Sequence, residues 1–415
     1  MIKFLVGSRQ TFYSFLSNLS YTFVIWFIAV LINHYYGAKS LGEYSLVQAI
    51  ISPLALFFHL QLKVLATLEI NIDLKISKYI NLLLFSKFIF IIIILVIGIL
   101  FNQPILFYSF AVFKVFESFH FLVQGYYQSK NDFFKSFITT FIKGFTLLLL
   151  LWILFVNKHS ISLGFIIISA IWVLLLIYFD FPEISKGNNF DKSLFKDFSE
   201  STPLIISGAS LSIISSFDSF TAAIPRYFIN GYYNDIELGK FTMVLQFFIA
   251  STIFVVSVGH PFLVKLKIHI DNNDFQGFKK EIIKTIYIFL FLSILAILFF
   301  ILFGQYIMRL FWGVENEYLS NYLTLSMIGI IPLFLSSIFV YSINSLKYFS
   351  IHLKYYPLII GISILFSWIL IPKFGILGGI VTIILTQFMR MIITFFVFNY
   401  CYKKFINKSI INEKF

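Results

Sequence analysis

Residues 88–100 read FIFIIIILVIGIL, without one polar side chain. A helix of this composition presents hydrocarbon on every side, so it needs lipid or a very large core around it. A bilayer core of about 30 Å takes about 20 helical residues, and the run extends to 80–101. Eleven further runs of that length lie near 12–34, 43–65, 104–127, 136–156, 161–181, 200–222, 238–264, 283–308, 319–345, 353–371 and 375–400. The second, fourth and seventh carry polar residues at membrane depth. The first has the length of a crossing and lacks an A-x-A cleavage site, so it reads as a retained helix rather than a signal peptide.

Composition agrees. Of 415 residues, 59% are hydrophobic and 12% charged, against about half and a quarter in soluble domains. That excludes a water-soluble enzyme. The net charge of +12 would suggest nucleic acid in a soluble chain; here its distribution over the loops matters more. The one cysteine, Cys401, excludes an internal disulfide or a thiolate cluster, and the seven histidines have no metal-ligand spacing. No metal or cofactor is expected. Loop by loop, 23 Lys and Arg fall on one side of the membrane, Lys87 and Lys143 among them. Six fall on the other, including Arg226, and Lys114 and Arg390 lie inside spans. This bias predicts an even number of spans with both termini cytoplasmic.

The chain also repeats itself. LGEYSLVQ at 41–48 and LGKFTMVL at 238–245 stand 197 residues apart, and the same offset pairs Tyr35-Tyr36 with Tyr232-Tyr233. Each copy enters an even-numbered span, so the halves are parallel repeats of six spans.

Polar residues within the spans are the candidate site, because they are costly in hydrocarbon and face a cavity or a partner. On a continuous second helix, Ser45, Gln48, Ser52, His59 and Lys63 share one face, lining a cavity or packing a neighbour. Pro53 should bend that helix. The equivalent helix places Gly239, Thr242, Gln246, Ser257 and His260 together. The fourth span carries Lys114, Glu117, His120, Gln124 and Gln128 on one stripe. Lys114 and Glu117, at i and i+3, can neutralise each other, or Glu117 titrates. Asp218 stands in the serine-rich SGASLSIISSFDSF, as an ion-coupling group or a carboxylate bonded to those serines. Arg390 lines a cavity or snorkels to the interface. No Walker A, GxGxxG or GxSxG motif is present, so ATP-driven transport by this chain is excluded.

YYGAKSLGEYSLVQAIISPL, FESFHFLVQGYYQSKNDF, AAIPRYFINGYYNDIELGKFT and IPKFGILGGIVTIILTQ together resemble the O-antigen flippases. These are the Wzx-type translocases of the multidrug/oligosaccharidyl-lipid/polysaccharide exporter superfamily. The resemblance implies an all-α membrane protein of about twelve helices, in two six-helix bundles (1–198 and 199–415) around a central cavity. It implies movement of an undecaprenyl-pyrophosphate-linked oligosaccharide across a bacterial inner membrane, with a polymerase and a chain-length regulator as partners, and no enzymatic residues. On this reading His59, Lys63, Lys114, Gln124, His260 and Arg390 are the substrate-binding candidates, and Glu117 and Asp218 the ion-coupling candidates. A cation-coupled exporter of the same superfamily is the alternative. A membrane-embedded polysaccharide polymerase is a second, opposed by the repeat and by the lack of a large outer loop.

Overall fold

The computed structural model describes residues 9–69, 71–185 and 198–412. Lys3, Lys186, Lys192, Lys196 and Lys414 of the charge count lie outside them. Every regular element among the described residues is helical. In chain order they are α1 Arg9–Phe57, α2 Leu62–Leu68, α3 Ile72–Leu100, α4 Ile105–Ser129, α5 Phe133–Val156, α6 Ile161–Leu175 and, after a π-helical turn Leu176–Asp180, α7 Phe181–Ser185. Then come α8 Phe198–Tyr232, α9 Asp235–Asp271, α10 Phe275–Trp312, α11 Ser320–Ile328, α12 Ile330–Ser345 and α13 His352–Asn412.

Ten of these helical runs are long and apolar enough to cross a membrane. Two of the ten, Phe12–Phe57 and His352–Asn407, span 46 and 56 residues, about twice a crossing. Each is interrupted at a glycine, Gly37 at φ 80° and Gly375 at φ 56°, which a side chain would strain. Taking each as two crossings recovers the twelve spans. The chain is an all-α, multi-pass membrane protein.

Short polar signals set the connections. Asp132, Ser160, Asn234 and Asp274 each cap the next helix by accepting a backbone N–H. Asn102, Asn131, Lys158, Asn273 and Lys347 take left-handed conformations just after helix ends, where asparagine is tolerated best among residues with a side chain.

The chain packs as two compact units, one ending at Ala223 and the other beginning at Ile224. In the first, α1 packs chiefly on α5, and α4 lies against α2, α3 and α6. Tyr44, Phe110, Phe113, Phe165 and Trp172 form its aromatic centre, with neighbouring rings 5.2–5.9 Å apart. In the second, α12 packs on α13 and α9, and α10 on α11.

The repeat has structural counterparts in each unit. Leu41, Tyr44, Ser45 and Val47 are buried, as are Leu238, Phe241, Thr242 and Val244 at the matching positions. Tyr36 donates its hydroxyl to His159 O, in the turn before the sixth crossing. Its counterpart Tyr233 donates to the carbonyls of Ile371 and Pro372, both at 3.2 Å, in the turn before the twelfth. One residue ties down the same kind of turn twice.

Two expectations are corrected. The second crossing is not one helix through residue 63. It ends at Phe57, turns through Leu60 (φ 51°) and Gln61 (φ 43°), and restarts as α2. Pro53 cannot donate within the ladder, and neighbouring helices supply donors to the carbonyls around the break. Ser216 Oγ donates to Pro53 O at 2.9 Å, Lys87 Nζ to Ala55 O at 3.2 Å and Ser86 Oγ to Phe58 O at 2.5 Å. A shared face computed across the break therefore has no meaning for His59 and Lys63. Second, Lys87, Lys143 and Arg226 are not loop residues. All three are buried on helices that run on past the apolar stretch. The loop asymmetry survives their removal.

Candidate functional site

The first unit gathers its polar side chains along α4. Lys114 Nζ contacts both oxygens of Glu117, at 2.7 and 2.8 Å, as the i, i+3 spacing allows. Tyr21 of α1 donates its phenol to the same carboxylate. One turn on, His120 Nε2 lies 3.0 Å from Gln124 Nε2 and accepts from it. Gln124 also donates to Thr140 Oγ1, which takes a second bond from Ser17 at 3.0 Å. Gln128 donates to Ser136 at 3.3 Å. The stripe is thus a ladder of side-chain bonds between α4, α1 and α5.

The residues on either side of the break also converge, through Phe121 rather than through helical phase. Lys63 Nζ lies 5.5 Å from the Phe121 ring centre. The rings of His59, His120 and Tyr21 stand 5.7, 5.9 and 5.2 Å from it. His59 Nε2, His120 Nδ1 and Gln124 Oε1 are buried without a hydrogen-bond partner. Unpaired buried polar atoms are costly, and three in one unit mark a place for water or a ligand.

Two close backbone approaches hold the break in position. A Cβ on Gly125 would lie 2.6 Å from Lys63 O, and one on Gly208 would collide with Leu60 O. Gln61 donates to Ser215 Oγ at 2.8 Å. Only glycine lets α4 and α8 close on the unwound turn.

The lysines inside the spans of this unit differ in their partners. Lys114 pairs with Glu117, and the half-buried Glu43, Glu69 and Glu183 pair with Lys39, Lys75 and Lys135 nearer the helix ends. Lys143 pairs with Asp180, with only 5% and 1% of the two side chains exposed. Lys87 is held by a carbonyl and lies 5.3 Å from the Phe90 ring centre. Among the described residues, neither Lys63 nor Lys87 has a carboxylate at ion-pair distance.

No family model matches the chain. The capsular polysaccharide biosynthesis protein CapF of Staphylococcus aureus is 25% identical over 390 residues, which cover 92% of this chain and 96% of that one. Among solved structures, the lipid II flippase MurJ in an inward closed conformation superposes with a TM-score of 0.73 at 16% identity, over 97% of this chain and 90% of that one. An inward-facing multidrug resistance MATE family transporter of the MOP superfamily gives 0.70 at 12% identity, over 97% and 96%. The chain has the MOP transporter fold. The fold expected from the resemblance is met along nearly the whole chain.

Within that fold the second unit offers a different chemistry. Arg390 is buried rather than snorkelling, and its Nη2 donates to Tyr356 OH at 3.0 Å. Tyr356 stacks on Tyr355, whose hydroxyl meets His352 Nδ1, while His352 Nε2 lies 2.7 Å from Asn344 Oδ1. Thr382 and Thr386, on the same helix as Arg390, are buried with unpartnered hydroxyls. His260 lies in α9, and its side chain is outside the described residues. Asp218 is exposed on α8. Of the serines around it, Ser210 and Ser215 donate to backbone carbonyls four residues back, and Ser216 to Pro53 O.

The sequence reading missed Lys87, Lys143, Asp180, Tyr21, Phe121, His352 and Tyr356. A loop lysine directly flanked by apolar helix, as Lys87 and Lys143 are, was the one signal available for them.

Proposed function

We propose that this protein flips a lipid-linked oligosaccharide, carried on an undecaprenyl-pyrophosphate-type anchor, from the cytoplasmic to the outer face of a bacterial inner membrane. On this reading it is a transporter and not an enzyme. Both termini are cytoplasmic, and the two six-helix halves are 1–198 and 199–415. The glycan is a surface polysaccharide; the capsular relative favours capsule or a similar polymer over O-antigen. A polymerase and a chain-length regulator would act on the flipped product.

The observation that carries the reading is the presence in the first unit of two enclosed lysines, Lys63 and Lys87, with no carboxylate at ion-pair distance among the described residues. Buried charge is tolerated when it is paired, and a diphosphate brings at least two negative charges to the two lysines that lack an acid. Hydroxyl and amide groups, such as Gln124 in the first unit and Thr382 and Thr386 in the second, suit sugar hydroxyls. A cationic drug would meet repulsion in the same place. The lipid tail stays in the bilayer, so only the headgroup needs a polar path.

Surface polysaccharide in a deletion strain complemented with variants tests this. Losing a buried charge-assisted contact costs about 2–5 kcal/mol, a loss of capture of at least tens-fold. Lys63→Ala should therefore cut surface polysaccharide sharply, Lys63→Glu should cut it further, and Lys63→Arg should retain the most. Normal polysaccharide in the deletion strain itself would end the flippase reading. Wild-type behaviour of Lys63→Glu would remove Lys63 from the site.

A further inference from the structure

The Lys114–Glu117 bond itself joins no two helices; the link from Glu117 to α1 is made by the Tyr21 phenol. The members of the pair sit one turn apart on α4, unlike Lys143 and Asp180, which join α5 to the π-turn after α6. A buried ion pair can often be replaced by apolar side chains without loss of stability, and sometimes with a gain. A pair within one helix that ties no two lysine-bearing elements has even less structural reason to exist. Its presence is better explained by a use for the ammonium, with the carboxylate as its companion while that use is not being made.

The donors around Glu117 indicate the use. Two carboxylate oxygens receive the Lys114 ammonium, and one of them also takes the Tyr21 phenol from α1. An ammonium and a hydroxyl converging on two oxyanion oxygens is also the arrangement that a phosphoryl group accepts. Lys114 Nζ further lies 5.4 and 5.8 Å from the ring centres of Phe110 and Phe113, so aromatic faces can hold the ammonium if the carboxylate is outcompeted. The unit also holds the ammonium groups of Lys63 and Lys87, which have no carboxylate at ion-pair distance among the described residues, and the Lys143–Asp180 pair. An incoming anion thus meets lysines of which Lys114 and Lys143 are already held by internal acids.

We propose that Glu117 is an internal stand-in for the anionic headgroup. In the empty transporter its carboxylate holds Lys114 and Tyr21; a lipid diphosphate displaces it on binding, and its return helps expel the headgroup on the other side. The inference rests on the substrate class given under Proposed function. It adds that binding is a contest between two anions for one ammonium, which keeps affinity low enough for release.

The test is binding of farnesyl diphosphate to the purified full-length protein in detergent, with farnesol as the uncharged control. Thermal melts of each variant check folding. Glu117→Gln keeps the shape but removes the competing charge. A charged hydrogen-bond partner is worth about a factor of ten or more, so Glu117→Gln should bind farnesyl diphosphate about tenfold tighter than wild type. Lys114→Gln should bind it more weakly, and farnesol binding should not change. In cells, Glu117→Gln should nonetheless make less surface polysaccharide, because release is slowed. Glu117→Asp, which shortens the reach to Lys114, should tighten binding by a smaller factor and serves if the glutamine variant does not fold. Equal or weaker binding by folded Glu117→Gln or Glu117→Asp, with wild type binding normally, overturns the stand-in role alone. If wild type binds no farnesyl diphosphate, the substrate class falls and the stand-in role with it.

Discussion

The two units share a repeat but solve the burial of polar groups in opposite ways. The first buries charge of both signs, with Lys87, Lys143, Glu117 and Asp180 all nearly enclosed. The second, among its described residues, buries no carboxylate; Arg226, Arg390 and His352 are buried there with Gln246, Asn316 and many Ser and Thr. Their second crossings differ in the same sense. The first unit's is broken at residues 58–61, whereas its counterpart α9 runs unbroken from Asp235 to Asp271. An unwound turn needs donors and close backbone approach. The first unit supplies both, through Ser86, Lys87, Ser216, Gly125 and Gly208. The matching stretches 41–47 and 238–244 are buried alike, but among the described residues the buried carboxylates lie in the first unit. If the headgroup is handled by the first unit, the second is free to offer neutral hydroxyls to a sugar.

The largest effect should come from breaking the ionic interior itself. Lys143→Ala leaves Asp180 almost fully buried without its partner, which typically costs about 3–5 kcal/mol. The variant should yield little folded, monodisperse protein in detergent. Adding Asp180→Leu should restore much of the yield, since two apolar residues replace the pair. In the second unit, Arg390→Met leaves no acid stranded and should lower the melting temperature far less. Equal losses in the two units would remove the distinction between them.

A smaller effect tests the break. Gly125→Val would push a side chain into the backbone of Lys63 and should cost about 1–3 kcal/mol, as overpacking does. Gly361 of α13 has nothing within 4 Å of its would-be Cβ. Gly361→Ala should therefore be neutral or stabilising by up to about 1 kcal/mol, through helix propensity. Thermal melts of the two variants give the comparison; a tolerated Gly125→Val would mean that the unwound turn is not held by close approach.

Much of this frame was legible in the chain. Apolar runs such as 88–100 fix the spans because hydrocarbon demands them. Tyr35-Tyr36 and Tyr232-Tyr233 mark the repeat in the sequence, and Tyr36 and Tyr233 each donate to a backbone carbonyl ahead of a later crossing. Lys114 and Glu117 could be paired from spacing alone. The rest depended on the third dimension. Lys143 and Asp180 are 37 residues apart, and each stands at the edge of its apolar run, where a charge is ordinarily assigned to water. His59 and Lys63 do meet at Phe121, but by way of a break that a fixed 100° per residue cannot foresee. His352 meets Tyr355 by i, i+3 spacing on α13, but reaches Asn344 only because a short 3₁₀ turn, Phe349–Ile351, folds the start of α13 back toward the end of α12.

The smallest expected effect lies outside the membrane, where the units become alike again. Glu69 stands between the second and third crossings, and Asp274 between the eighth and ninth. The hydrogen bond from Lys75, 2.9 Å away, holds the Glu69 carboxyl below its ordinary 4.5. The backbone N–H of Gly277 and then His269 hold Asp274 below its ordinary 3.8. A carboxyl whose pKa is lower in the folded state adds stability above its unfolded value and loses it as pH falls through the folded one. Both contributions should thus be complete at neutral pH and fade below about pH 4.5. Asp274 is solvent-exposed and the Lys75 partner of Glu69 is half exposed, so water and salt screen both contacts. Glu69→Gln and Asp274→Asn should each lower the melting temperature at pH 7 by no more than about 1–2 °C, with the difference from wild type closing toward pH 3. A difference that widened on acidification would reverse the sign and show that these carboxyls are not held by their donors in the folded state. Similar small shifts in both loops would confine the contrast between the units to the membrane interior, where the lysines are.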